Sequence, residues 1–145
     1  MLQPPSFLTE QDEQEIVKAI QTAEKATSGE IRIHVEASSK EKPYNRALQV
    51  FEQLEMHQTK QRNGVLIYVA FDDHQFVICG DEGINNAVSN DFWDCTRDEM
   101  ASHFRKGNFK DGIVAGILNA GEQLKSFFPW QKDDVDELSN EISKG

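Results

Sequence analysis

Residues Val65-Leu66-Ile67-Tyr68-Val69-Ala70-Phe71 form the longest apolar run in the chain, broken only by the Tyr68 hydroxyl. The run is too short to span a bilayer. Its β-branched and aromatic residues favour a strand over a buried helix. A strand without polar alternation is covered on both faces, so it must lie inside a sheet with a layer above and a layer below. Asp72-Asp73-His74-Gln75 reads as a turn and Phe76 to Cys79 as a returning strand, which makes the pair a hairpin. The remaining segments have to supply the covers.

They are suited to it. Thr9 with Asp12 forms a capping-box pattern, and Ile16, Ala19, Ile20 and Ala23 recur at helical spacing, which predicts a helix over 10–26. Glu30 to Glu36 alternates strictly, with Ile31, Ile33 and Val35 on one face and Glu30, Arg32, His34 and Glu36 on the other. That pattern predicts a half-buried strand nearer an edge. Tyr44 to Met56 is a helix with Ala47, Val50, Phe51 and Leu54 inward. Strand, helix, strand makes a βαβ unit whose two strands run parallel.

Beyond the hairpin lies a polar loop, Gly80 to Asp91, with room for a short strand within Ile84 to Val88. A helix from Asp91 to Phe104 follows, capped by Ser89 or Asn90, with Trp93, Met100, Ala101 and Phe104 on its apolar side. Asp111 caps a last helix whose stripe is Ile113, Ile117, Leu118, Gly121, Leu124 and Phe128. Gly116 and Gly121 suit close approach to the sheet, and Pro129 stops the helix. The expected architecture is α/β: a three-layer α/β/α sandwich around a small mixed β-sheet. Residues 1–128 form one domain, and 129–145 a charged, solvated tail with a short helix over Val135 to Ile142.

With 145 residues, the chain can bury about two thirds of its unfolded surface. Its 25 acidic residues against 15 basic ones give a net charge of −10. That excess argues against a nucleic-acid backbone or an anionic membrane as partner and leaves room for cations. Cys79 and Cys95 lack metal spacing and read as free, buried thiols. The first residues lack the basic and apolar regions of a secretory signal. The expectation is a cytoplasmic monomer without a membrane anchor that acts on a protein partner.

Strand direction places the candidate chemistry. With the first two strands parallel and the third returning, the start of strand one, the start of strand two and the end of strand three share one edge. That edge gathers Glu30, Asn63, Asp81 and Glu82, and the next helix brings Asp91 and Asp94. Clustered carboxylates repel one another unless something positive sits among them. A hard divalent cation takes oxygen ligands at about 2.3–2.6 Å, and glycine-rich loops can add carbonyls. Glu30, Asp81, Glu82, Asp91 and Asp94 are therefore candidate metal ligands. The bland alternative is that Asp81 and Glu82 are solvated turn residues, Asp91 supports a helix dipole and Glu30 pairs with Arg62. A second acidic group, Asp72, Asp73 and His74 with Glu36, lies at the opposite edge, where open α/β sheets bind ligands; Asp111 and Asn108 face the same way. Nucleophilic catalysis finds little support: there is no Gly-x-Ser-x-Gly elbow, no Walker motif and no dinucleotide fingerprint.

The chain resembles the TPM domain family over roughly Glu10 to Phe128. The resemblance rests on Thr27-Ser28-Gly29-Glu30-Ile31-Arg32-Ile33, on Asn63-Gly64-Val65-Leu66-Ile67-Tyr68-Val69 and on Gly80-Asp81-Glu82-Gly83-Ile84. It continues through Phe104-Arg105-Lys106-Gly107-Asn108-Phe109 into Gly112-Ile113. It implies an α/β/α sandwich and a divalent metal at acidic loops, calcium ahead of magnesium. It also implies acid phosphatase activity, which is associated with plant members. The chain departs from the family in reading Gly80-Asp81-Glu82-Gly83 where an aromatic Gly-Tyr-Gly type turn is usual. It also lacks a convergent basic patch for a phosphate. The reading that follows is a metal-binding domain without catalysis, in which the cation orders adjacent acidic loops and modulates a protein contact. A metal-dependent phosphatase-like hydrolase and a metal-free interaction module are the alternatives.

Overall fold

The computed structural model describes residues 8–131 and 138–145. In order the elements are α1 (Glu10–Ala23), β1 (Glu30–Glu36), α2 (Pro43–Gln53), β2 (Gly64–Ala70), β3 (Gln75–Gly80), α3 (Glu82–Asn85), α4 (Asp94–Arg105), α5 (Phe109–Lys125) and β4 (Ser143–Lys144). The strands form one mixed sheet in the order β3-β2-β1-β4. β1 runs parallel to β2 from Glu30 opposite Gly64 to Glu36 opposite Ala70. β3 returns antiparallel from Ala70 opposite Gln75 to Val65 opposite Gly80.

β2 is buried along its whole length. Val65, Ile67 and Val69 face a core completed by Ile16 and Ile20 of α1, Met100 of α4 and Ile113, Ile117 and Leu124 of α5. Leu66, Tyr68 and Ala70 face a smaller core with Ala47 and Val50 of α2, Met56 and Cys79. The unbroken apolar run thus feeds two cores, and the α/β/α sandwich follows from it. α1 begins as its capping box directs: the Thr9 hydroxyl accepts from the Asp12 N–H at 3.0 Å, and Asp12 accepts from the Thr9 N–H at 3.1 Å.

Several local expectations give way. β1 is buried at every residue but the intermediate Arg32, rather than half exposed: Tyr68 of β2 and Arg46 of α2 close over His34 and Glu36 on its polar face, and β4 pairs with its outer edge at His34 and Val35. α1 ends at Ala23, where Glu24 and the turn after it take over. Residues 82–85 form α3 instead of an extra strand, since the Asp81 carboxylate accepts the Glu82 N–H at 2.7 Å and starts a helical turn. α4 begins at Asp94 after Trp93, not at Asp91. The cap-type residues upstream bond each other instead, Ser89 donating to Asp91.

Asn108, not Asp111, occupies the N-cap position of α5, and Asp111 lies within the first turn. Gly116 and Gly121 let α5 approach other helices rather than the sheet: an added Cβ would meet Met100 of α4 and Ala23 of α1. Leu118 is exposed, and so is Cys95, whereas Cys79 is buried as expected. Of the tail, residues 132–137 lie outside the described residues, so the expected helix over Val135 to Ile142 is described only from residue 138. There Leu138 packs against the smaller core and β4 joins the sheet, so this part is docked rather than solvated.

Two glycines separate steric from conformational need. Gly83 sits with its Cα against the backbone carbonyls of Gln61 and Arg62, where a Cβ has no room, and its N–H donates to the Arg62 carbonyl at 2.9 Å. Gly107 has open space but a φ of +78°. Gly83→Ala is expected to destabilise the fold by about 2 kcal/mol through overpacking against backbone. Gly107→Ala should cost about 1 kcal/mol through left-handed strain alone. Urea unfolding midpoints of the two variants check both the values and their order.

Candidate functional site

The edge deduced from strand direction is built as expected. Glu30 opens β1 beside Gly64, and the Asp81 N–H donates to the Gly64 carbonyl at 2.9 Å, so the ends of three strands abut. Asp81 is buried and shares its carboxylate between α3 and Arg62. Arg62 Nε reaches Oδ2 at 2.9 Å and Nη2 reaches Oδ1 at 3.1 Å, while Nη1 reaches Glu82 Oε1 at 3.3 Å. Such a fork is the strongest geometry a guanidinium offers a carboxylate. The positive charge that the acidic edge requires is therefore supplied from within, and Arg62 serves Asp81 and Glu82 rather than Glu30.

Asn63 lies between the two residues that bond Asp81. It is 1% exposed, and its Oδ1 has no hydrogen-bond partner among the described residues. Glu30, 3% exposed, begins the neighbouring strand. Asp91 accepts from the Ser89 hydroxyl at 2.5 Å, and Asp94 pairs with Arg97 one turn along α4. The structure thus brings Asp81 and Glu82 together around Arg62, keeps Glu30 at the same edge, and engages Asp91 and Asp94 locally. Among the described residues no three His, Cys, Asp or Glu side chains are gathered as a metal-ligand group.

At the opposite edge, Asp73 accepts from the Ser39 N–H and the Ser38 hydroxyl, each at 2.9 Å, and these bonds hold its carboxyl below the usual range. Asp72 is exposed in the turn, and Asp111 pairs with Lys110 at 2.8 Å. Burial pushes the Cys79 thiol up to about 11, helped by the charge of Asp81, so it stays protonated at neutral pH.

Glu36, expected beside Asp72, Asp73 and His74, belongs instead to a third cluster that the residue order does not foretell. Glu36 is buried between β1 and α2, where Arg46 grips it by Nε at 2.9 Å and Nη2 at 3.0 Å. The Tyr68 hydroxyl donates to it, and His34 Nε2 lies 2.9 Å from Oε1. Burial alone would raise the Glu36 carboxyl, but the bonds from Arg46, Tyr68 and His34 outweigh it and bring the group to about 2. Burial also lowers the His34 pKa, against the pull of Glu36, and together with the bond to Glu36 raises the Tyr68 pKa above its usual value. With Glu36 ionised and His34 neutral, His34 Nε2 donates to Glu36 and Nδ1 accepts from the Ser143 hydroxyl at 2.8 Å. The network so ties β4 to β1. The signal in the sequence was the lone hydroxyl in an apolar strand, because a buried tyrosine needs a partner for its O–H.

Both shifts are depressions, so both act in one direction. The Glu36 contribution is present above its ordinary 4.5 and is lost as pH falls towards about 2. The His34 contribution is present above 6.5 and is lost as pH falls below it. Urea midpoints should therefore decline steadily on acidification from about pH 6.5. Glu36→Gln should lower stability at pH 7 by about 2 kcal/mol, since it leaves the half-buried Arg46 guanidinium without its counter-charge and removes the charged acceptor of the buried Tyr68 hydroxyl. The same variant should flatten the part of the profile below pH 4.5. A Gln variant that keeps the wild-type acid slope would locate that slope elsewhere.

Comparison with known proteins agrees with this architecture. The TPM domain family model matches residues 2–123, and the chain belongs to that family. Among solved structures, the NMR structure of the BA42 protein from the psychrophilic bacterium Bizionia argentinensis is 55% identical over 100% of both chains, with a TM-score of 0.94. The N-terminal domain of a protein from P. gingivalis matches 85% of this chain and 80% of its own at 18% identity and TM-score 0.70. The N-terminal domain of a Corynebacterium glutamicum protein matches 100% and 92% at 12% identity and TM-score 0.63. The last two speak for the fold alone. No curated protein matches the chain. Among the described residues no helix is long and apolar enough to cross a membrane.

Proposed function

We propose that this TPM domain binds a divalent cation, calcium in preference to magnesium, at the edge where Glu30, Asn63, Asp81 and Glu82 meet. The supporting observation is the Asn63 Oδ1, an acceptor buried without a hydrogen-bond partner among the described residues, on the residue between Arg62 and Gly64, both of which bond the buried Asp81. An unpaired buried acceptor is costly, and a hard cation satisfies it while taking the neighbouring carboxylates as further oxygen ligands. The cation would take over the role of the Arg62 guanidinium, releasing that side chain. Asp91 and Asp94 lie on the following segment, and the cation would order it against the loop before β2. The consequence is a surface whose shape and charge report cation occupancy to a protein partner.

A second reading has its own support in the bidentate Arg62–Asp81 pair, which already balances the edge. There the domain is a metal-free interaction module, and Arg62 is a permanent counter-ion.

Calorimetric titration of chelator-treated protein separates the two. On the cation reading calcium binds saturably, Asp81→Asn abolishes binding, and Arg62→Gln tightens it by about tenfold, or about 1.4 kcal/mol, by removing the competitor. Calcium should also raise the unfolding temperature of the wild type but not of Asp81→Asn, because a ligand confined to the native state stabilises it. Absence of calcium heat, with Arg62→Gln equally destabilising in calcium and in chelator, would favour the metal-free module.

A further inference from the structure

Beyond the carboxyl end of β2, away from the acidic edge, a cavity of about 200 Å3 opens between the hairpin and the helix junction α4–α5. Its floor is Val69, Ala70 and Phe71, and its walls are Phe76, Phe104 and Phe109. These walls are held in place. The Phe104 ring fills the space that Gly112 leaves by lacking a Cβ, meets Phe76 edge to face at 5.2 Å and lies tilted 5.8 Å from Phe109. The mouth is polar: His74, Gln75 and Arg105 line it.

Size and charge together narrow what fits. An apolar cavity of about 150 Å3 accommodates a benzene ring, so this one takes a single ring or a short branched chain and nothing much larger. In a chain of net charge −10, Arg105 is exposed and has no ion-pair partner among the described residues. The first turn of α5, which starts at Phe109 in the cavity wall, has no side-chain cap for its N–H groups. Both favour an anion at the mouth. Asp72 in the hairpin turn and Asp111 in the first turn of α5 limit that preference. They tolerate one negative charge better than two, which favours a carboxylate over a phosphate dianion. The position, past the carboxyl end of a parallel strand, is where open α/β sheets bind small ligands.

We propose that this cavity binds a small monocarboxylic acid, its ring or branched chain among Phe76, Phe104 and Phe109 and its carboxylate on the Arg105 fork. The ligand is a free metabolite-sized acid, and the site is independent of any cation at the opposite edge.

Benzoate serves as the probe, titrated into 15N-labelled full-length protein in the presence of chelator. Saturable amide shifts are expected in 69–76 and 101–110, with a dissociation constant on the order of millimolar, as suits so few ligand atoms. Benzyl alcohol, of the same shape without the charge, should bind at least about tenfold more weakly. Arg105→Gln should erase that difference by weakening benzoate alone, and Ala101→Leu, which puts bulk into the cavity wall, should weaken both probes. Spectra of the two variants without ligand establish that they are folded. Failure of benzoate to saturate, shifts centred outside those segments, or an acid preference that survives Arg105→Gln would each overturn the proposal.

Discussion

Burial of β2 on both faces governs the arrangement of everything around it. Its odd residues, Val65, Ile67 and Val69, and its even ones, Leu66, Tyr68 and Ala70, enter different cores. Each core therefore needs its own helical cover, and the two covers differ in depth. α1, α4 and α5 build a thick layer with many fully buried aliphatic side chains, whereas among the described residues α2 covers the other face with help from Met56 and Leu138. The thinner side compensates with polar contacts. Glu36, Arg46, Tyr68 and His34 fill the space that aliphatic residues fill opposite, and Ser143 links the same network to β4. A buried polar network is stable only when each member is satisfied, and here Glu36 takes bonds from three side chains.

The same strand also sets the geometry of the acidic edge. Because β1 and β2 run parallel and β3 returns, Glu30, Asn63 and Asp81 are brought into adjacent rows by backbone pairing alone. Loop chemistry then decides how their charge is balanced. Arg62, in the left-handed region at φ 52°, sets its guanidinium on Asp81 and Glu82, and Gly83 allows the Arg62 carbonyl to approach α3 closely. The edge is thus locked by one side chain whose removal changes both charge and loop packing.

Much of this was legible in the residue order, for reasons that differ by element. The hairpin and its two covers follow from one unbroken apolar run, and the start of α1 from Thr9 with Asp12, because these signals are local. Sharing of one edge by Glu30, Asn63 and Asp81 follows from strand direction. The start of α4 was not legible: Ser89, Asn90 and Asp91 are all cap-type residues, and only the fold shows that Ser89 bonds Asp91 instead of a helix N–H. The two-residue β4 carries no periodicity at all. Glu36 and His34 were placed on a solvent-facing side, since alternation tells which residues share a face but not whether something covers it. The Arg62–Glu30 pair, part of the bland alternative for the acidic edge, fails on a related point: Arg62 reaches Asp81 and Glu82. Sequence distance does not reveal which of several carboxylates a long, flexible cation reaches.

Whether the Arg62 guanidinium is a resident counter-ion that a divalent cation displaces decides the chemistry of the acidic edge. The most direct measurement is the Arg62 Nε–Hε resonance in a 15N spectrum, assigned by Arg62→Lys and followed as calcium is added to chelator-treated protein. Without metal the proton should be protected from exchange by its bond to Asp81; with calcium the signal should shift and exchange rapidly with water as the fork is released. Calcium binding that leaves this resonance protected would contradict the displacement, and a resonance that never responds because calcium does not bind would leave Arg62 as the permanent partner of Asp81.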